Sequence, residues 1–166
     1  MLNALIDLHS PQPRRPAADE WPVGEAGPPA RRGETRAPHP PGRILLIDDE
    51  PSFVRALARL LRQDGYTVDT AADGHWALRS VQAQRYDVVL CDLRMPGLDG
   101  PAFYARLCAQ YPALRQRVLF LTGDTLGADS QAFLAQCGQP WVAKPCNAVC
   151  IRRAIQQLLH AVERAG

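Results

Sequence analysis

At 166 residues the chain is long enough for one ordinary domain and too short for two comfortable ones. Its 19 Lys plus Arg stand against 17 Asp plus Glu, a formal net charge of +2, which leaves no electrostatic footprint for nucleic acid. Five cysteines without a Cys-x-x-Cys pair argue against a disulfide framework and a zinc site and favour a reducing, cytoplasmic compartment, and no apolar run approaches the roughly 20 residues of a membrane helix.

Residues 1–42 read as a tail. Nine prolines fall there with Gly24, Gly27 and Gly33, and its five arginines are balanced by five acids. Such a segment buries too little apolar surface to offset its ordering entropy, so disorder is expected. Leu2, Leu5, Ile6 and Leu8 allow one transient amphipathic turn, marginal in water on its own.

From Arg43 the texture changes. Arg43 to Ile47 is a strand pattern that ends on Asp48-Asp49-Glu50, followed by Pro51 at a helix start. Phe53, Leu57, Leu60 and Leu61 recur at helical spacing, with Arg55, Arg59 and Arg62 opposite, and Asp64-Gly65 stops the helix. Tyr66 to Ala71 alternates as a strand, and Ala72-Asp73-Gly74 turns into a second helix through Gln84. Val88 to Cys91 is a continuous apolar run suited to a strand buried on both faces, and it ends on Asp92. Pro101 opens a third helix to Gln110; Val118 to Leu121 is another buried strand, ending at Thr122-Gly123-Asp124. Ala128 to Cys137 reads as a helix, Trp141 to Ala143 as a short last strand, and Asn147 to Val162 as the closing helix, with Ile151, Ile155, Leu158 and Val162 as its buried stripe.

Five strands alternating with five helices predict an α/β, doubly wound parallel sheet. Right-handed crossovers leave few topologies, and acids at the ends of both the first and third strands favour the flavodoxin-like order 2-1-3-4-5. Asp48, Asp49 and Asp92 then converge at one edge, with Thr122 and Lys144 arriving from the next two strands. Lys144 is the only lysine among the 19 basic residues, and a compact ammonium on a flexible stem is not replaceable by a planar guanidinium. Three carboxylates held together repel and call for a hard divalent cation, for which Mg²⁺ is suited. A carboxylate can act as a nucleophile toward phosphorus, with the cation, an ammonium and a hydroxyl spreading the charge. Taken singly, Asp48-Asp49 also reads as a capping run, Asp92 and Thr122 as turn residues and Lys144 as a solvated side chain; their joint placement at strand ends carries the argument.

Asp48-Asp49-Glu50-Pro51, Asp92 with Met95-Pro96-Gly97-Leu98-Asp99-Gly100, Thr122-Gly123 and Lys144-Pro145 together resemble the receiver domain of two-component response regulators, over about Arg43 to Val162. By resemblance, residues 43–166 form a receiver domain in which Asp92 accepts a phosphoryl group from a phosphohistidine of a sensor histidine kinase or a histidine phosphotransfer protein. The resemblance further implies that Asp49, Asp92 and the backbone carbonyl of Arg94 bind Mg²⁺ (or Mn²⁺), with Asp48 acting through water. Lys144 would contact the phosphoryl oxygens beside a cis peptide at Pro145, and Thr122 and Trp141 would form a conformational switch read by a protein partner.

Three departures stand out. Trp141 occupies a position where Tyr or Phe is usual, and Cys146 one where Phe is common. Arg94 and Asp124 occupy positions that flank the path of attacking water in this family, where they are expected to pair and slow hydrolysis. The expected module catalyses only its own phosphorylation and dephosphorylation, so it is not an enzyme with a turnover substrate. The competing readings are a phosphorylation-independent interaction domain, whose usual sign is loss of an acid, Thr or Lys, and an aspartyl-phosphate phosphohydrolase, whose second Asp stands two residues from the nucleophile on the first strand. With no room for an output domain, the expected product acts on another protein, as a homodimer through the face of the fourth helix and the last strand and helix, or as a phosphate shuttle. The segment 122–127 resembles receivers of hybrid sensor kinases, and no direct nucleic-acid or membrane partner is expected.

Overall fold

The computed structural model describes residues 42–123 and 127–165. The expected tail, apart from Gly42, and Asp124 lie outside these residues. Five strands, β1 (Arg43–Ile47), β2 (Thr67–Ala71), β3 (Val88–Asp92), β4 (Val118–Thr122) and β5 (Trp141–Ala143), alternate with five helices, α1 (Pro51–Gln63), α2 (Gly74–Ala83), α3 (Gly100–Gln110), α4 (Ala128–Cys137) and α5 (Ala148–Ala165). The strands form one parallel sheet in the order β2-β1-β3-β4-β5, the flavodoxin-like arrangement expected. Boundaries differ from the sequence reading by a residue or so: β4 includes Thr122, α3 begins at Gly100 and α5 at Ala148.

The central strands β3 and β4 are buried throughout, so every residue must be apolar unless it has a specific partner. Successive side chains point to opposite faces, and the sheet therefore feeds two apolar layers. Leu45, Ile47, Val89, Cys91, Val118 and Phe120 pack beneath α2, α3 and α4. Ile44, Leu46, Val88, Leu90, Leu119 and Leu121 pack beneath α1 and α5. On α5 the buried stripe is Ile151, Ala154, Ile155 and Leu158, while Val162 is only half-buried.

Local signals fix where the helices begin. Pro51 starts α1. The Asp73 carboxylate accepts from the Trp76 N–H at 2.8 Å, and that of Asp99 from the Ala102 N–H at 2.9 Å, capping α2 and α3. Gly138, with φ of 71°, closes α4. A 3-10 helix at Pro112–Arg117 leads into β4, where the sequence reading placed no element. Arg152 of α5 forks onto both oxygens of Asp64 at the end of α1, at 2.6 and 2.8 Å, tying together the two helices of one layer.

Candidate active site

The register places the acids side by side. Ile47 pairs with Cys91, so Asp48 and Asp92 both fall one residue beyond that pair, at the carboxyl ends of neighbouring strands. Thr122 closes β4 opposite Ala143, and its carbonyl accepts the Lys144 N–H at 2.7 Å, so the ends of β4 and β5 are joined where Lys144 turns toward the acids. Crevices outside the strand ends of open α/β sheets are where such folds hold ligands.

Asp48 and Asp92 are buried at 2% and 7% exposure, while Asp49 is exposed. Oxygens of all three carboxylates lie within 4.8 Å of one another. Lys144 Nζ donates to Asp48 Oδ2 at 2.5 Å and to Asp92 Oδ2 at 2.8 Å. Asp48 Oδ1 accepts the Glu50 N–H at 2.9 Å, and Asp92 Oδ1 accepts the Arg94 N–H at 3.3 Å. The Lys144-Pro145 peptide is cis, as expected.

The electrostatics follow from burial and pairing. Burial pushes the Asp48 carboxyl above its usual range, against the Lys144 and Glu50 hydrogen bonds. Burial also acts to lower Lys144, but the hydrogen bonds to Asp48 and Asp92 outweigh it and hold the ammonium above the ordinary lysine range. One ammonium thus faces three carboxylates, an oxygen-only donor set with uncompensated negative charge. That set fits a hard divalent cation.

The approach to Asp92 is tight. The Gly100 N–H donates to the Leu93 carbonyl at 3.0 Å, and a Cβ on Gly100 would lie 2.5 Å from the Asp92 carbonyl oxygen. Cys91 is fully buried and burial holds its thiol well above the usual range, so it is a packed side chain beneath the site. Trp141 is half-buried against the α2-α3-α4 layer, paired with Phe120, whose ring meets Tyr104 and Phe133 edge-on at 5.5 and 5.3 Å. Arg94 is exposed at the mouth.

One neighbour was not read from sequence as part of this site. The Phe53 ring centroid lies 4.6 Å from Lys144 Nζ. In the sequence Phe53 had only the helical spacing of a core position. Trp76, by contrast, is 58% exposed and carries the Arg79 guanidinium at 4.9 Å, away from the acids. A groove of about 880 Å³ lined by Arg43, Thr67, Gln84 and Arg85 lies among the amino ends of the strands, far from the acids.

Comparison with known proteins matches residues 44–156 to the response regulator receiver domain. The chain belongs to this family. Among curated relatives, the transcriptional regulatory protein TcrA of Mycobacterium tuberculosis is 40% identical over 105 residues, 63% of this chain and 41% of TcrA. This receiver chain therefore spans less than half the length of that relative. The receiver domain of the sensor histidine kinase PA1611 from Pseudomonas aeruginosa PAO1, solved with a magnesium ion coordinated in its active-site cleft, is 35% identical with a TM-score of 0.66, covering 72% of this chain and 98% of that one. The signal receiver domain of a signal transduction histidine kinase from Syntrophus aciditrophicus is 30% identical with a TM-score of 0.67, covering 74% and 93%. Among the described residues of this receiver, no helix is long and apolar enough to cross a membrane.

Proposed function

We propose that this receiver accepts a phosphoryl group on Asp92 from a phosphohistidine of a sensor histidine kinase or histidine phosphotransfer protein, and signals the change to a protein partner. The observation that carries the reading is Lys144 Nζ bridging Asp48 and Asp92 beside Asp49. In the transfer, an electron pair of an Asp92 carboxylate oxygen forms the O–P bond as the donor's P–N bond breaks; the imidazole nitrogen keeps the P–N bonding pair and takes up a proton from solvent. Lys144, held charged by its two carboxylate partners, would bind the phosphoryl oxygens.

Asp49, Asp92 and the Arg94 carbonyl would hold Mg²⁺ or Mn²⁺, with Asp48 acting through water. The ion supplies charge neutralisation at the incoming phosphoryl oxygens. The Thr122 hydroxyl would turn toward the phosphoryl group. Trp141, half-buried beside the Phe120, Tyr104 and Phe133 rings, would move with it and change the surface near β5. The added charge, about −1.5 to −2 if it ionises like other phosphoresidues, biases that two-state element. The protein then works as a signalling switch that turns over only its own phosphoryl group.

The test is intact mass after incubation with acetyl phosphate and Mg²⁺, with Asp92→Asn and a chelated sample alongside. One phosphoryl adduct on the wild type, absent from both controls, is expected. A wild type that gains no adduct from acetyl phosphate or phosphoramidate refutes the reading, and steady phosphate release without an adduct points to a hydrolase.

A further inference from the structure

Phe53 lies on α1 outside the acidic pattern, half-buried and packed against the α1-α5 layer. Lys144 is thereby approached from three directions, by Asp48 Oδ2, by Asp92 Oδ2 and by the face of the Phe53 ring at 4.6 Å. An ammonium carries three N–H donors. Two are directed at the carboxylates, and the negative face of the ring meets the remaining side. The need for a third contact follows from the stem: Lys144 reaches the site on a flexible four-carbon chain from the end of a strand only three residues long.

We propose that Phe53 is a positioning residue for Lys144. Its ring and Asp48 keep Nζ at the mouth while the remaining donor passes from the Asp92 carboxylate to the phosphoryl oxygens carried by that same residue. This role rests on the reading of Asp92 as the phosphoryl acceptor. The ring can do this because it is not consumed: of the three groups around Nζ, only Asp92 changes its bonding in the reaction. Leu at position 53 would keep an apolar filling of similar kind but has no ring quadrupole, whereas Tyr would keep both.

The single lysine makes the test direct. Full-length protein grown with ¹³C-lysine gives one ε-methylene signal, because the chain holds one lysine. The wild-type ε-proton resonance is expected upfield of free lysine through the ring current, shifted back in Phe53→Leu and retained in Phe53→Tyr. Phosphorylation by acetyl phosphate with Mg²⁺ is expected to slow about three- to tenfold in Phe53→Leu, the effect of losing a contact of this strength, and to recover in Phe53→Tyr. A wild-type ε resonance at the free-lysine position overturns the proposal and requires no variant to fold. So does Phe53→Leu phosphorylating at the wild-type rate, or Phe53→Tyr as slow as Phe53→Leu; with an adduct still formed on wild-type Asp92, the function reading survives these results. No adduct on the wild type removes the function reading and this role together.

Discussion

Gly100→Ala tests whether the backbone that carries Asp92 tolerates any displacement. A Cβ at this position would stand 2.5 Å from the Asp92 carbonyl oxygen and 2.8 Å from Leu93 Cα, where ordinary contact begins at 3.4 Å. Both obstacles are main-chain atoms, so no rotamer change relieves them, and the start of α3 and the end of β3 must separate by about 0.9 Å. Overpacking of this kind costs about 1–3 kcal/mol, and replacing glycine at the start of a helix returns less than about 1 kcal/mol. A net loss of about 2 kcal/mol is expected in urea unfolding. Gly97→Ala is the comparison: its φ of 76° strains any L side chain, but a Cβ there meets nothing within 4 Å. That variant is expected to lose about 1 kcal/mol and to phosphorylate at the wild-type rate, whereas Gly100→Ala is expected to phosphorylate more slowly because the shift falls on Asp92 itself. Wild-type stability in Gly100→Ala would refute the steric argument, and slow phosphorylation in both variants would refute its link to the site.

Two further predictions concern Tyr86, away from the acids, and Arg94 at their mouth. Tyr86 is buried, its hydroxyl donates to Asp69 Oδ2 at 2.9 Å, and burial together with that carboxylate pushes its phenol up to about 12. A phenol whose folded value exceeds its unfolded 10.0 stabilises the fold fully below about pH 10 and loses that contribution as pH rises through about 12, an amplitude of about 2–3 kcal/mol. Melting temperature followed from pH 9 to 12 should fall less steeply in Tyr86→Phe, and identical slopes would show that Tyr86 does not carry the effect. Arg94→Ala is expected to shorten the aspartyl-phosphate lifetime by up to about fivefold, the scale of an exposed ionic contact; an unchanged lifetime, followed by decay of the adduct mass, removes Arg94 from control of hydrolysis.

The acids and Thr122 were legible because they interrupt apolar runs. β1, β3 and β4 are so thoroughly buried that Asp48, Asp92 and Thr122 at their ends stand out against the residues before them. Lys144 stood out by composition alone. The contact between Lys144 and Phe53 was not legible, since both residues satisfy other patterns and only the fold brings the Lys144 ammonium to the Phe53 ring. Trp76 adjoins the buried Ala77, and its solvent-side stacking with Arg79, three residues on, depends on how α2 is rotated against the sheet, which the sequence does not fix. The 3-10 helix at Pro112–Arg117 carries no buried residue, and so it left no hydrophobic period to read.

The alternation of side chains along the sheet gives the molecule two audiences. Phe53 and Cys146 belong to the α1-α5 layer, while Trp141 belongs to the layer beneath α2, α3 and α4. The reacting edge is where these compartments meet, and little apolar packing passes from one to the other except through the strands themselves. Substitutions within one layer can therefore accumulate without repacking the other. A lineage carrying this fold is free to vary its two helical faces at separate times.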